Sequence, residues 1–193
     1  MLVHVLAYTG LRFGEAAALR VTDVNVLRSR LRVYRSVTQV NGEMVYGSTK
    51  TGKARDVAVP KSVMAMITEL TEDRAPHDLV FPAANGEPLR LRNVRRDWWN
   101  RAGRESKTAG VPAGLTPHEL PHTAASPAIR AGASVKSVQR MRGHSSATVT
   151  LDCYGHLFED EHDAVADRLE AHFAEVSAVE CSREEATTLR VAR

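Results

Sequence analysis

Cysteine is scarce in this 193-residue chain, with only Cys153 and Cys181 present. Two cysteines cannot build a disulfide framework or, by themselves, a zinc site. A reducing cytoplasm is the default compartment. No run of about 18 apolar residues occurs, which argues against a membrane-spanning helix. Met1 to Gly14 has no basic n-region and no small-residue cleavage site, so no signal peptide is read there. Internal repeats are lacking as well. With 43% hydrophobic and 25% charged residues, disordered, collagen-like and coiled-coil chains are set aside. The length suits one good-sized domain.

The net charge of +3 conceals a split. Residues 1–158 hold 22 Lys/Arg against 13 Asp/Glu, a net +9, and residues 159–193 hold 4 against 10, a net −6. A basic body with an acidic tail suggests a polyanion partner, although an unevenly charged solvated surface gives the same numbers.

Local patterns outline the elements. Met1 to Leu19 reads as two helical pieces broken at Gly10. Arg30 to Val40 reads as a strand, Asn41-Gly42 as a hairpin turn, and Arg55 to Val59 as a further strand after a turn near Thr51-Gly52. Pro60 opens a helix to about Leu70. Leu91 to Glu105 is a basic helix carrying Trp98 and Trp99, and 106–115 is a loop. Thr116-Pro117-His118-Glu119 has capping-box spacing with Pro at the first helical position. The helix it opens is expected to run to about Arg130. Helices over Ser134 to Arg142, Ala147 to Tyr154 and Asp160 to Val176 follow, and 177–193 is a frayed tail. The expected fold class is α+β, mostly helical, with one small antiparallel sheet near the N-terminal side.

Four spots carry unusual residue types: Arg12 just after a glycine break, Lys50 at a hairpin, His118 and His122 in one block, and His144 followed by Tyr154. Each has an ordinary structural reading. Arg12 can pair with Glu15 on the surface, Lys50 can be a solvated turn residue, His144 can end a helix, and Tyr154 can be half-buried packing.

In order, the blocks TGLRFGEAAAL, STKTGKARDVAVP, LTPHEL with HTAAS, and GHSSATVTLDCYGHLF resemble the catalytic domain of the tyrosine recombinase (phage integrase) family. The resemblance runs from about residue 1 to 158. It implies that Tyr154 attacks a DNA phosphodiester to form a 3′-phosphotyrosine, conserving the bond energy without ATP. It implies that Arg12 clamps the transition-state oxygens, that Lys50 protonates the departing 5′ oxygen, and that His118 and His144 hydrogen-bond the phosphate or assist proton transfer. It requires no metal and no cofactor. The implied partner is double-stranded DNA, with a homo-oligomer forming on it. The 160–176 helix could dock in cis or onto a neighbouring subunit.

Two departures stand out. The family pattern at 118–123 is His-x-x-Arg-His-Thr, and here the arginine position is Pro121. Losing such a donor costs roughly 3–4 kcal/mol of transition-state stabilisation. Pro121 would also be the fifth residue of the expected helix, at a cost of about 3 kcal/mol or more. Pro127 would interrupt it again, and Arg130, about two turns on, is too distant to replace the arginine. Second, Met1 lies 11 residues before Arg12, so the separate N-terminal DNA-clamping domain is expected to be absent. The expectation is an integrase-like catalytic domain over 1–176, a truncated and impaired prophage remnant. A non-catalytic DNA-binding module is the alternative, carried by the +9 body and the Arg90 to Arg104 helix. His118-Glu119-x-x-His122 also matches a zinc-protease pattern literally, without a third ligand and with Pro121 inside the required helix.

Overall fold

The computed structural model describes residues 1–105, 115–158 and 165–174. It has two units, Met1–Tyr154 and Gly155–Arg193. The expected loop at 106–115, save Leu115, and the tail at 177–193 lie outside the described residues. Among the described residues no helix is long and apolar enough to cross a membrane.

Helix α1 (Leu2–Thr9) buries Leu2, Val5, Leu6 and Thr9. It stops at Gly10, which takes φ 69 in the left-handed region that glycine tolerates. Helix α2 (Phe13–Ala17) follows, with Arg12 as its extended N-cap. The Glu15 carboxylate returns 2.9 Å to the Arg12 N–H, satisfying a donor that the helix leaves open. The two-piece reading of the opening segment and its break at Gly10 are therefore what the chain adopts.

The expected strand from Arg30 to Val40 divides at Tyr34. Its first half, β2 (Arg30–Val33), lies between β1 (Val24–Asn25) and β5 (Arg55–Ala58) in an antiparallel sheet. Alternation buries Leu31 and Val33 and pairs Leu31 with Val57. The second half, β3 (Arg35–Val40), forms a separate hairpin with β4 (Glu43–Ser48). Asn41 and Gly42 both have positive φ, 50 and 90, as a two-residue primed turn demands. The antiparallel part thus consists of two small sheets. The hairpin leans on α2, where a Cβ on Gly14 would stand 2.5 Å from the Val37 carbonyl oxygen. Lys50 is not at a hairpin tip. The turn that holds it links β4 of one sheet to β5 of the other.

Helix α3 (Lys61–Thr71) adds Val63, Met64 and Ile67 to a core shared with α1, β2, β5, Val80 and Phe81. The basic helix is α4 (Leu91–Val94) and α5 (Asn100–Glu105) joined through a π-turn at Arg95–Trp99. Trp99 is buried, with its indole N–H donating 2.7 Å to the Leu115 carbonyl, and Trp98 is exposed.

The segment 116–130 differs most from expectation. The Glu119 side chain does return to the Thr116 N–H at 2.6 Å, but the chain closes a turn there instead of starting a helix. Helix α6 (Leu120–Thr123) begins afterwards and α7 (Ala125–Arg130) follows as a separate piece. Pro121 is the second residue of α6 and Pro127 the third of α7. Amides in a first turn have no helical partner, so neither proline removes an interior bond. The expected interior-proline penalty does not arise.

Helix α8 (Val135–Arg142) is capped by the Ser134 hydroxyl, 3.2 Å from the Ser137 N–H, and ends at left-handed Gly143. Helix α9 (Ala147–Tyr154) closes the first unit. Cys153 on it is exposed. In the second unit, 165–174 is helical (α10), with Val165, Leu169 and Phe173 exposed.

Candidate active site

Glu15 is the hub of a cationic cluster. Its side chain is 1% exposed and receives both arms of Arg55, at 2.9 and 2.7 Å. The Arg12 Nη1 lies 3.2 Å from the same carboxylate, and the Arg12 side chain keeps 29% of its surface open. Burial alone would raise the Glu15 pKa, but the Arg55 hydrogen bond and charge, with Arg12, hold it below the usual carboxylate value. Arg55 also donates to the Met141 carbonyl at 3.3 Å, tying β5 to the end of α8. Arg12 therefore pairs with Glu15 as expected, but onto a buried carboxylate rather than on the surface, and its own guanidinium stays partly open.

Tyr154 is 6% exposed at the end of α9. Its hydroxyl lies 3.2 Å from Nδ1 of His122 on α6. His144 stacks on its ring, with centroids 6.3 Å apart and planes at 5°. The His144 Nδ1 is 3.0 Å from the hydroxyl of buried Thr150, which fixes the ring's orientation. Gln139 donates 3.2 Å to the His144 carbonyl.

Arg142 enters from the last turn of α8 and is 4% exposed. Its Nη1 donates to the Gly10 carbonyl at 3.0 Å. Its charge and a hydrogen bond act on the Tyr154 phenol.

The electrostatics follow from this crowding. Burial pushes the Tyr154 phenol up, and the Arg142 charge draws it partly back. Burial and then the Arg142 charge push His144 down to about 4 and shift His122 in the same direction. Both imidazoles are therefore neutral at pH 7, each with one donor and one acceptor nitrogen. Three guanidinium groups (Arg12, Arg55, Arg142) face one carboxylate, Glu15, so the cluster lacks an anion.

The sequence candidates are distributed unevenly. Arg12, His144 and Tyr154 come together. His118 is exposed, in edge contact with His122 at 6.1 Å between centroids, while His122 is the histidine at the Tyr154 hydroxyl. Lys50 is exposed on its turn, next to Thr49, whose hydroxyl closes the turn onto the Lys53 carbonyl at 3.0 Å. Sequence reasoning did not select His122, Glu15, Arg55 or Arg142 as site residues. The short spacing of Glu15 from Arg12 and the position of Arg142 just before Gly143-His144 were the available signals. The literal zinc-protease motif has no continuous helix, since α6 begins after His118, and Glu119 is engaged at the Thr116 N–H.

The chain is 27% identical over 176 residues to the ICEBs1 integrase of Bacillus subtilis strain 168, covering 84% of this chain and 46% of that protein. It is 31% identical over 161 residues to the integrase of Mycobacterium phage D29, covering 77% and 41%. It thus spans less than half the length of these relatives. A solved structure of the Tn1549 transposon integrase in complex with a circular intermediate DNA superposes with a TM-score of 0.72 at 22% identity, over 86% of this chain and 57% of that one. The Phage integrase family model matches residues 1–161, and the chain belongs to that family.

Proposed function

We propose that this chain is the catalytic part of a site-specific recombinase that cuts and rejoins duplex DNA through Tyr154. The observation that carries the reading is the Tyr154 hydroxyl, buried 3.2 Å from His122 in a cationic cluster that lacks its anion. A phosphodiester is an anion of the right geometry for planar guanidinium donors.

In the first step the Tyr154 Oη attacks phosphorus and the P–O5′ bond breaks, leaving a 3′-phosphotyrosine. The phenol proton passes to a neutral imidazole nitrogen, for which His122 is nearest, and Lys50 protonates the departing 5′ oxygen. Rejoining reverses the step with a 5′-hydroxyl of another strand. Arg12 neutralises charge that builds on the non-bridging oxygens, and His144 holds an oriented donor beside them. His118 stands behind His122 as a contact to the DNA backbone. Exchange between duplexes calls for several copies of the chain on DNA. Chromosomal DNA as substrate would place the activity in the cytoplasm.

The test is a nicked suicide duplex bearing an attachment sequence from the gene's flanks. Because Arg12, Arg55 and Arg142 keep the cluster cationic despite Pro121, the native chain is expected, against the impairment read from the sequence, to give a covalent protein–DNA band on a denaturing gel, lost in Tyr154→Phe. A second reading, DNA binding without cleavage, is favoured by the exposed Arg92, Arg95 and Arg96 beside the π-turn. Salt-sensitive duplex binding with no covalent band would select it.

A further inference from the structure

We propose that Arg142 is the second phosphate-clamping guanidinium of this site, standing in for the arginine that the family pattern carries at position 121. The inference rests on the recombinase reading above and names a residue that performs it.

Burial is the first observation. A guanidinium taken out of water is costly unless it is paired. Arg142 is 4% exposed, yet among the described residues no carboxylate lies within ion-pair distance of it. Glu15, the acid of the cluster, is engaged by Arg55 and Arg12. The Arg142 Nε is buried without a hydrogen-bond partner among the described residues. A buried cation with an unused N–H and no counter-ion is half of an ion pair.

Position is the second observation. The Arg142 Cδ passes 3.2 Å from where a Cβ on Gly10 would stand, and the Ala124 Cβ is 3.6 Å from the same point. Ala124 follows position 121 by three residues, and helical residues three apart share a face. An arginine at 121 would therefore project toward the ground that Arg142 occupies from α8. Pro121 is buried there and offers no donor. The Arg142 Nη1 donates to the Gly10 carbonyl and its charge acts on the Tyr154 phenol, so the guanidinium lies in the neighbourhood of the attacking oxygen. The Arg12 charge acts on Arg142 and helps to lower its pKa, so the two guanidinium groups repel each other, and an anion bound between them would relieve that repulsion.

The test uses the full chain and inorganic phosphate, titrated at pH 7 with chloride holding the ionic strength constant. The readout is the rise in thermal midpoint. Phosphate is expected to stabilise the native chain saturably. Arg142→Leu is expected to weaken phosphate by at least about tenfold, because a charge-assisted bidentate donor is lost. The double variant Pro121→Arg, Arg142→Leu is expected to recover most of that affinity. Equal affinity in native and Arg142→Leu, no saturable stabilisation of the native chain, or no recovery in the double variant overturns the proposal. If Arg142→Leu does not fold, Arg142→Lys decides. It keeps the charge without the fork and is expected to bind several-fold more weakly, and unchanged affinity overturns the assignment.

The covalent band separates the two levels. Arg142-dependent phosphate binding without a Tyr154-dependent band sinks the recombinase reading and leaves the clamp. A band from Arg142→Leu as strong as the native one sinks the clamp and leaves the reading.

Discussion

The Tyr154 hydroxyl stands 3.2 Å from Nδ1 of His122, a residue 32 positions earlier on a different helix. His118, four residues before His122, is exposed and touches His122 but not the phenol. His122→Asn is therefore expected to slow formation of the covalent DNA band by about 10²-fold, in the range of a lost general base. His118→Asn should slow it less. Time courses on the suicide duplex decide this, and a larger effect at His118 would reverse the assignment.

Glu15→Gln is expected to destabilise the fold by about 3 kcal/mol, because it leaves buried cations without their carboxylate. Arg55 would lose both charged bonds and Arg12 its anchor. Urea unfolding measures the loss. A change below about 1 kcal/mol would mean that the pair is worth no more than a surface bridge.

Gly14→Ala is expected to cost about 1–3 kcal/mol, the range of overpacked sites. The new Cβ would meet the Val37 carbonyl oxygen at 2.5 Å, and a backbone atom cannot swing away as a side chain can. Gly47→Ala in the same hairpin meets nothing within 4 Å and serves as the comparison. Equal melting temperatures for the two variants would show that β3 is free to shift away from α2.

Pro121→Ala is expected to change stability by less than about 1 kcal/mol, since proline in a first helical turn removes no bond. A gain of about 3 kcal/mol would restore the interior-proline reading. Calorimetric melting of the two chains settles it.

Stability should fall as the pH drops from about 6.5 to about 4, in part through His144. Its folded pKa is pushed down to about 4, by burial first and then by Arg142 and Arg12, from an ordinary 6.5. In that window the unfolded chain binds more protons than the folded one, so stability rises with pH. His122 shifts in the same direction. Urea midpoints at pH 7 and at about pH 5 should differ more for the native chain than for His144→Gln. Equal differences would mean that His144 titrates at its ordinary value.

Much of this protein follows from the order of its residues alone. Gly10 ends α1 and Asn41-Gly42 turns a hairpin because those residue types tolerate positive φ, a property that needs no distant contact. The blocks around Arg12, His144 and Tyr154 carry the family in the same local way. Other features depend on contacts that no local pattern encodes. Whether Pro121 lies inside a helix or in its first turn depended on where the chain broke between Thr116 and Ala125. Tyr34 divides one apparent strand between two sheets because β2 pairs with β5 while β3 pairs with β4. Arg142 reaches the site through a bond to Gly10, 132 positions away in sequence. Only the packing of α8 against α9 brings that guanidinium to Tyr154, because burial and proximity are properties of the assembled core.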